Sequence, residues 1–277
     1  MGSTWPSDAR AMPAALRPDQ RAPASPVGEL GAGDHSVDGR WRGLLRAGGI
    51  AALLIAILVI GEIAVYAALP RSESTVEHLQ LLSDNWLAGL LTLDLLGMFA
   101  YLLLIPTILA LYVTLHRSSE GIMLVAAALF FVGVADFLAT NTALPSLALA
   151  RDFAAAGSEG DRTAILGAGH AMFALFNENA FLSSYVIVSV AWGLVGLAML
   201  RSAVFGRSAA VAGILTGAAG VMAVILEHIS EALIDVAVPV YFAAIVLLLA
   251  WMVLVARRLW ALGSALPNQS SAAGGTE

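Results

Sequence analysis

Long apolar stretches alternate with short polar breaks along this chain, and their spacing predicts an all-α bundle of six membrane-crossing helices. The first stretch runs from about Ala47 to Leu69, behind Arg40, Arg42 and Arg46, and stops at Pro70. The second covers Leu87–Leu115, with Pro106 as a kink, and the third Gly121–Leu144; His116, Arg117 and Ser118 make the turn between them. Ser146 to Arg162 is the longest hydrophilic connection. Thr163 to Leu200 then carries no helix breaker, and its part from Asn179 onward suffices to span. The fifth stretch is Ser208–Asp235 and the sixth Val238–Ala256, opened by Pro239 and stopped by Arg257 and Arg258. Each approaches or exceeds the roughly 20 residues that cross a bilayer core of about 30 Å. The segment VEHLQLLSDNW, between the first two stretches, reads as a short interfacial helix.

Within the fifth stretch, helical periodicity places Gly213, Gly217, Gly220, Val224, Glu227 and Glu231 on one stripe. A groove of small residues, suited to close helix packing, thus leads into a pair of carboxyl groups. Gly48, Ala52, Ile55, Val59, Glu62 and Tyr66 form a similar stripe in the first stretch. Such faces also allow a homo-oligomer.

Composition narrows the class. Of 277 residues, 59% are hydrophobic and only 12% charged, and the mean hydropathy is +0.84. Soluble domains carry about 25% charged residues, so the lipid bilayer is the natural surrounding. The absence of cysteine removes disulfides, thiol nucleophiles and thiolate metal ligands. Without a basic patch, nucleic acid is not an expected partner.

Charge sets the orientation. Arg40, Arg42, Arg46, Arg117, Arg201, Arg207, Arg257 and Arg258 all flank the stretches on one side. By the positive-inside rule that side is cytoplasmic. The expectation is a multi-pass protein of the cell (plasma) membrane with both termini in the cytoplasm. Residues 1–39 and 263–277, rich in Ala, Gly, Ser and Pro, read as disordered tails around a transmembrane domain at 40–262.

The candidate chemistry is a polar layer. Glu62, Asp94, Asp136 and Glu227 each lie roughly 10–13 Å below the outer end of their helix. His228 and Glu231 adjoin from the fifth stretch, and Glu178 hangs over the layer from the fourth. Intramembrane acids cost about 2.5–3.5 kcal/mol each and face the bundle interior or a wet cavity. No arginine lies within the spans to pair with them. They are therefore protonated, paired with histidine, or arranged around a proton or divalent cation; a purely structural role stays open beside these. No metalloprotease HExxH, His-x-x-x-His or Gly-x-Ser-x-Gly motif occurs. Nothing identifies a cofactor.

Four segments carry a resemblance: GEIAVY, LLTLDLLGMFAYLLLIPTILALY, GHAMFALFNENAF and GLVGLAMLRSAVFGRSAAVAGILTG. Across residues 44–258 the chain resembles small bacterial six-span membrane proteins grouped as a domain of unknown function. The resemblance implies the architecture and no activity, and the EHISE cluster lies outside it. Three functions fit these readings: a small cation- or proton-coupled carrier, a metal-dependent intramembrane hydrolase, or a non-catalytic membrane component that docks a partner. The residues favour an enzyme least.

Overall fold

The computed structural model describes residues 39–69, 74–175, 181–229 and 233–265. Among them every regular element is helical. A 3-10 turn, Gly39–Trp41, leads into α1 (Arg42–Ala68); α2 (Thr75–Asp84) and α3 (Trp86–Thr92) follow. Next come α4 (Leu95–Thr140), α5 (Ala143–Ala155), α6 (Glu159–Leu175), α7 (Phe181–Leu200), α8 (Arg207–Ile229) and α9 (Ile234–Ala265). The helix of α9 carries into the segment whose composition reads as tail. The rest of both expected tails lies outside the described residues.

Among the described residues, five helical stretches are long and apolar enough to cross a membrane: Gly39–Ala68, Leu95–Ala155, Leu182–Leu200, Arg207–Ile229 and Ile234–Ala265. How their faces are sorted identifies the solvent. On α1 the buried face is built mostly from small residues, Gly48, Gly49, Ala51, Ala52 and Ala56, together with Leu45 and Ile55. Its opposite face presents Ile50, Leu53, Ile57 and Ile60, which are 47–56% exposed. In water the large side chains are the ones that gain most from burial. Here the small residues are inside, where they let backbones approach, and the bulky ones face out, as lipid requires. The chain is a multi-pass, all-helical membrane protein.

The long α4 is not straight. Tyr101 and Phe137 stack with ring centroids 3.9 Å apart, although 36 residues of continuous helix would separate them by about 54 Å. The chain folds back at Ser119, whose backbone (φ −157°, ψ 57°) is not helical. The reversal falls just after the His116-Arg117-Ser118 turn expected from the sequence. By contrast, α4 runs on through Pro106, where a kink was expected, and the Thr107 hydroxyl donates to the Leu103 carbonyl beside it at 2.9 Å.

Helix α7 packs tightly against α8. A Cβ at Gly217 would stand 2.5 Å from the Ser189 carbonyl oxygen and 2.6 Å from the Gly193 nitrogen. Only a glycine allows that approach, so the small-residue stripe of α8 is a packing groove for α7. The core includes Trp192, which meets Phe130 at 4.2 Å and Trp251 at 4.7 Å in edge-to-face contacts.

At the end of the bundle where α1 begins and α9 finishes, arginines close exposed carbonyls. Arg42 Nε donates to the Gly263 carbonyl at 3.1 Å, and Arg258 Nε to the Val204 carbonyl at 2.5 Å. At the opposite end, α2, α3, α5 and α6 form a cap with a hydrophobic cluster of its own. Leu79, Leu82, Leu90, Ala150, Phe153 and Phe173 pack at its centre. Ser74 and Asn85 start its helices by accepting from the Glu77 and Ala88 backbone N–H groups. Of the expected single helix from Thr163 to Leu200, the structure describes the parts in α6 and α7, and residues 176–180 lie outside the described residues. Helix α6 packs into the cap, and α7 packs on α4 and α8.

Candidate functional site

Between the spans lies a cavity of about 260 Å³, walled by α1, α4, α7, α8 and α9. It occupies the half of the bundle nearer the cap, where α1 ends and α4, α7 and α9 begin. The small-residue stripe of α1 leads into it: Gly48 and Ala52 are packed away, while Ile55, Val59, Glu62 and Tyr66 line the wall. Trp192, Leu104, Leu248 and Met252 add further apolar wall.

The acid at its centre is Asp94, and a break in the backbone puts it there. The second apolar stretch is read from the sequence as one helix, but it splits into α3 and α4 at Leu93 and Asp94. Asp94 has φ 65° and ψ 36°, the sole positive φ at a non-glycine position among the described residues. Aspartate and asparagine tolerate this left-handed region better than other side chains. The carboxyl group folds over Gly97, where a Cβ would lie 2.6 Å from Asp94 Cγ, so position 97 must stay bare. Asp94 is 5% exposed, and its Oδ1 has no hydrogen-bond partner. Glu62, from α1, lines the same cavity as the acidic neighbour of Asp94. No basic residue lines the cavity.

Four of the chain's five tyrosines line this space: Tyr66, Tyr101, Tyr185 and Tyr241. Tyr101 has one face on Phe137 and shares a hydrogen bond with Ser184. The rings of Tyr185 and Tyr241 stand 5.9 Å apart at 47°, forming a corner. The Tyr241 hydroxyl donates to Glu227 Oε2 at 2.7 Å.

The predicted polar layer is therefore divided. Glu62 and Asp94 come together in the cavity. Glu227 is exposed in the last turn of α8 and reaches the cavity only through Tyr241. Asp136, in the returning limb of α4, accepts from the Ser183 hydroxyl at 2.5 Å and does not line the cavity. His228 points its Nδ1 at the Val224 carbonyl of its own helix, 2.9 Å away. Glu178 and Glu231 lie outside the described residues. Among the described residues no three acidic or histidine side chains are grouped to hold a metal ion. Glu227 does not line the cavity with Glu62 and Asp94, because its carboxylate is turned toward Tyr241 of α9. Asp235, read as the end of the fifth span, already lies in the first turn of α9.

Sequence reasoning passed over the tyrosines. A usable signal existed: Tyr66, Tyr185 and Tyr241 sit toward the ends of apolar stretches remote from the Arg117 turn and Tyr101 midway along its own, whereas Tyr112 lies near that turn. No family model, curated protein or solved structure matches the chain.

Proposed function

We propose that this chain is a six-span carrier of the cell membrane, with both termini cytoplasmic, that binds its ligand in the cavity and couples to a proton or cation at Glu62 and Asp94. The observation that carries this reading is the carboxyl pair, two acids lining one largely apolar cavity with no basic partner in its lining. Two acids so placed favour a bound positive charge, a proton or a cation. The break at Leu93 and Asp94 adds to this, because it turns the Asp94 carboxyl into the cavity where the α4 span begins. The span count is supported by the fold-back at Ser119, which divides the longest apolar stretch into two limbs. The orientation is supported by the arginines that gather at the end remote from the cavity. Kinship with small bacterial six-span proteins belongs to the same proposal, and the all-helical, multi-span architecture is what favours it.

The test uses the cysteine-free background. Ile245 lines the cavity and is half-buried. For a carrier, Ile245→Cys reacts with an impermeant thiol reagent in right-side-out vesicles and also in inverted ones. Changing the external pH then moves the two rates in opposite directions. Labelling from one side alone at every pH refutes the carrier.

A further inference from the structure

Resting on the reading of this cavity as a ligand site, we infer that its ligand is a small organic cation, a quaternary or protonated amine with apolar substituents. Three features of the wall converge on that chemistry. The first is charge. Glu62 and Asp94 face the space from α1 and α4, Glu227 of α8 stands behind Tyr241, and no arginine or histidine is among the lining residues. Asp94 is 95% buried by its 5% exposure and has an oxygen without a partner. A buried acceptor left unsatisfied carries a desolvation cost that a bound donor or cation removes.

The second feature is the aromatic wall. A cation gains when it sits within about 6 Å of a tyrosine ring centroid, and gains more in a desolvated site. Tyr185 and Tyr241, 5.9 Å apart and inclined at 47°, offer two faces to one ligand. The hydrogen bond from the Tyr241 hydroxyl to Glu227 pushes electron density into that ring and strengthens its negative face. Tyr101 contributes the face that Phe137 does not cover.

The third feature is the apolar remainder. Val59, Leu104, Val188, Trp192, Leu248 and Met252 supply no hydrogen-bonding group to the cavity apart from the indole of Trp192. A bare metal ion keeps its water or takes six or more oxygen ligands, and among the described residues no three acidic or histidine side chains are grouped to hold one. An alkyl or aryl ammonium needs few directional bonds and is accommodated by the same surface. The volume, about 260 Å³, lies near the lower limit of ligand pockets and sets the size to a single small ring with a trimethylammonium group.

The experiment is isothermal titration calorimetry of the purified full chain in detergent, with benzyltrimethylammonium as the cation and benzyl alcohol as the uncharged aromatic. The wild type should bind the cation at least tenfold more tightly than the alcohol. Asp94→Asn, which keeps a side chain suited to the left-handed backbone, should weaken the cation at least tenfold. Tyr185→Phe should leave binding within about threefold, because the ring face remains, and Tyr185→Leu should lose it. The melting temperature of each variant in detergent separates lost binding from lost folding. No binding of the cation by wild type, equal affinity for the alcohol, or undiminished binding by Asp94→Asn overturns the assignment. If the Ile245→Cys rates nonetheless alternate with pH, the carrier stands and only this ligand class falls. If they do not alternate while the cation binds, the ligand class stands and the carrier falls.

Discussion

The α7–α8 contact permits a comparison between two glycines on facing helices. In Gly217→Ala the added methyl carbon would lie 2.5 Å from the Ser189 oxygen, 2.6 Å from the Gly193 nitrogen and 2.9 Å from Gly193 Cα. All three are main-chain atoms of α7, so no rotamer change relieves the clash and the helices must separate. In Gly193→Ala the same methyl group meets nothing within 4 Å. Alanine gains about 1 kcal/mol over glycine in a helix interior, which applies at both sites. Overpacking a close contact costs about 1–3 kcal/mol, and immovable backbone places this one at the upper end. The expected net change is a loss of about 2 kcal/mol at position 217 and a gain of about 1 kcal/mol at position 193. For a chain of this size that corresponds to a fall of about 4–8 °C and a rise of about 2–4 °C in melting temperature. Thermal unfolding in one detergent, followed by tryptophan fluorescence, measures both. The displaced α7 also carries Tyr185 and Trp192, so Gly217→Ala should weaken ligand binding as well. Equal melting temperatures for the two variants would refute the packing argument.

Two further outcomes follow from the same geometry. Gly121, Gly157 and Gly206 are exposed, and a new side chain meets open space at the first two and only ordinary contact with the Ser208 hydroxyl, at 3.7 Å, at the third; in intact cells Gly157→Cys should react with an impermeant thiol reagent, while Gly121→Cys and Gly206→Cys should be protected, and the reverse pattern overturns the orientation. Tyr241→Phe removes the hydroxyl that Glu227 accepts and keeps the ring; affinity for benzyltrimethylammonium should fall by about two- to fivefold, in keeping with about 0.5–1 kcal/mol for one hydrogen bond, and an unchanged affinity would show that Glu227 does not tune the site.

Much of the architecture is written locally. Apolar runs of bilayer length, the arginines beside them and the small-residue stripes of α1 and α8 follow from one-dimensional rules of length, charge and helical period. Those rules act within a few turns of helix, so the sequence alone determined a membrane-embedded helical protein and the packing faces of its helices. It also marked Glu62 and Asp94 as costly groups that need a reason to be inside. Which acids meet was decided only by tertiary structure. Depth along a span says nothing about rotation between spans, and rotation sends Asp136 to Ser183 and Glu227 to Tyr241 while Glu62 turns to Asp94. The helix break at Asp94 was equally hidden, since no proline or paired glycine marks it. The left-handed turn is held by Gly97, which leaves room for the folded-over carboxyl, and by the cap, in which neighbouring Leu93 is buried. The four tyrosines come from four separate helices, α1, α4, α7 and α9, and their convergence is a property of the bundle. Non-local packing chose the angle of each helix about its axis, and with it the cavity.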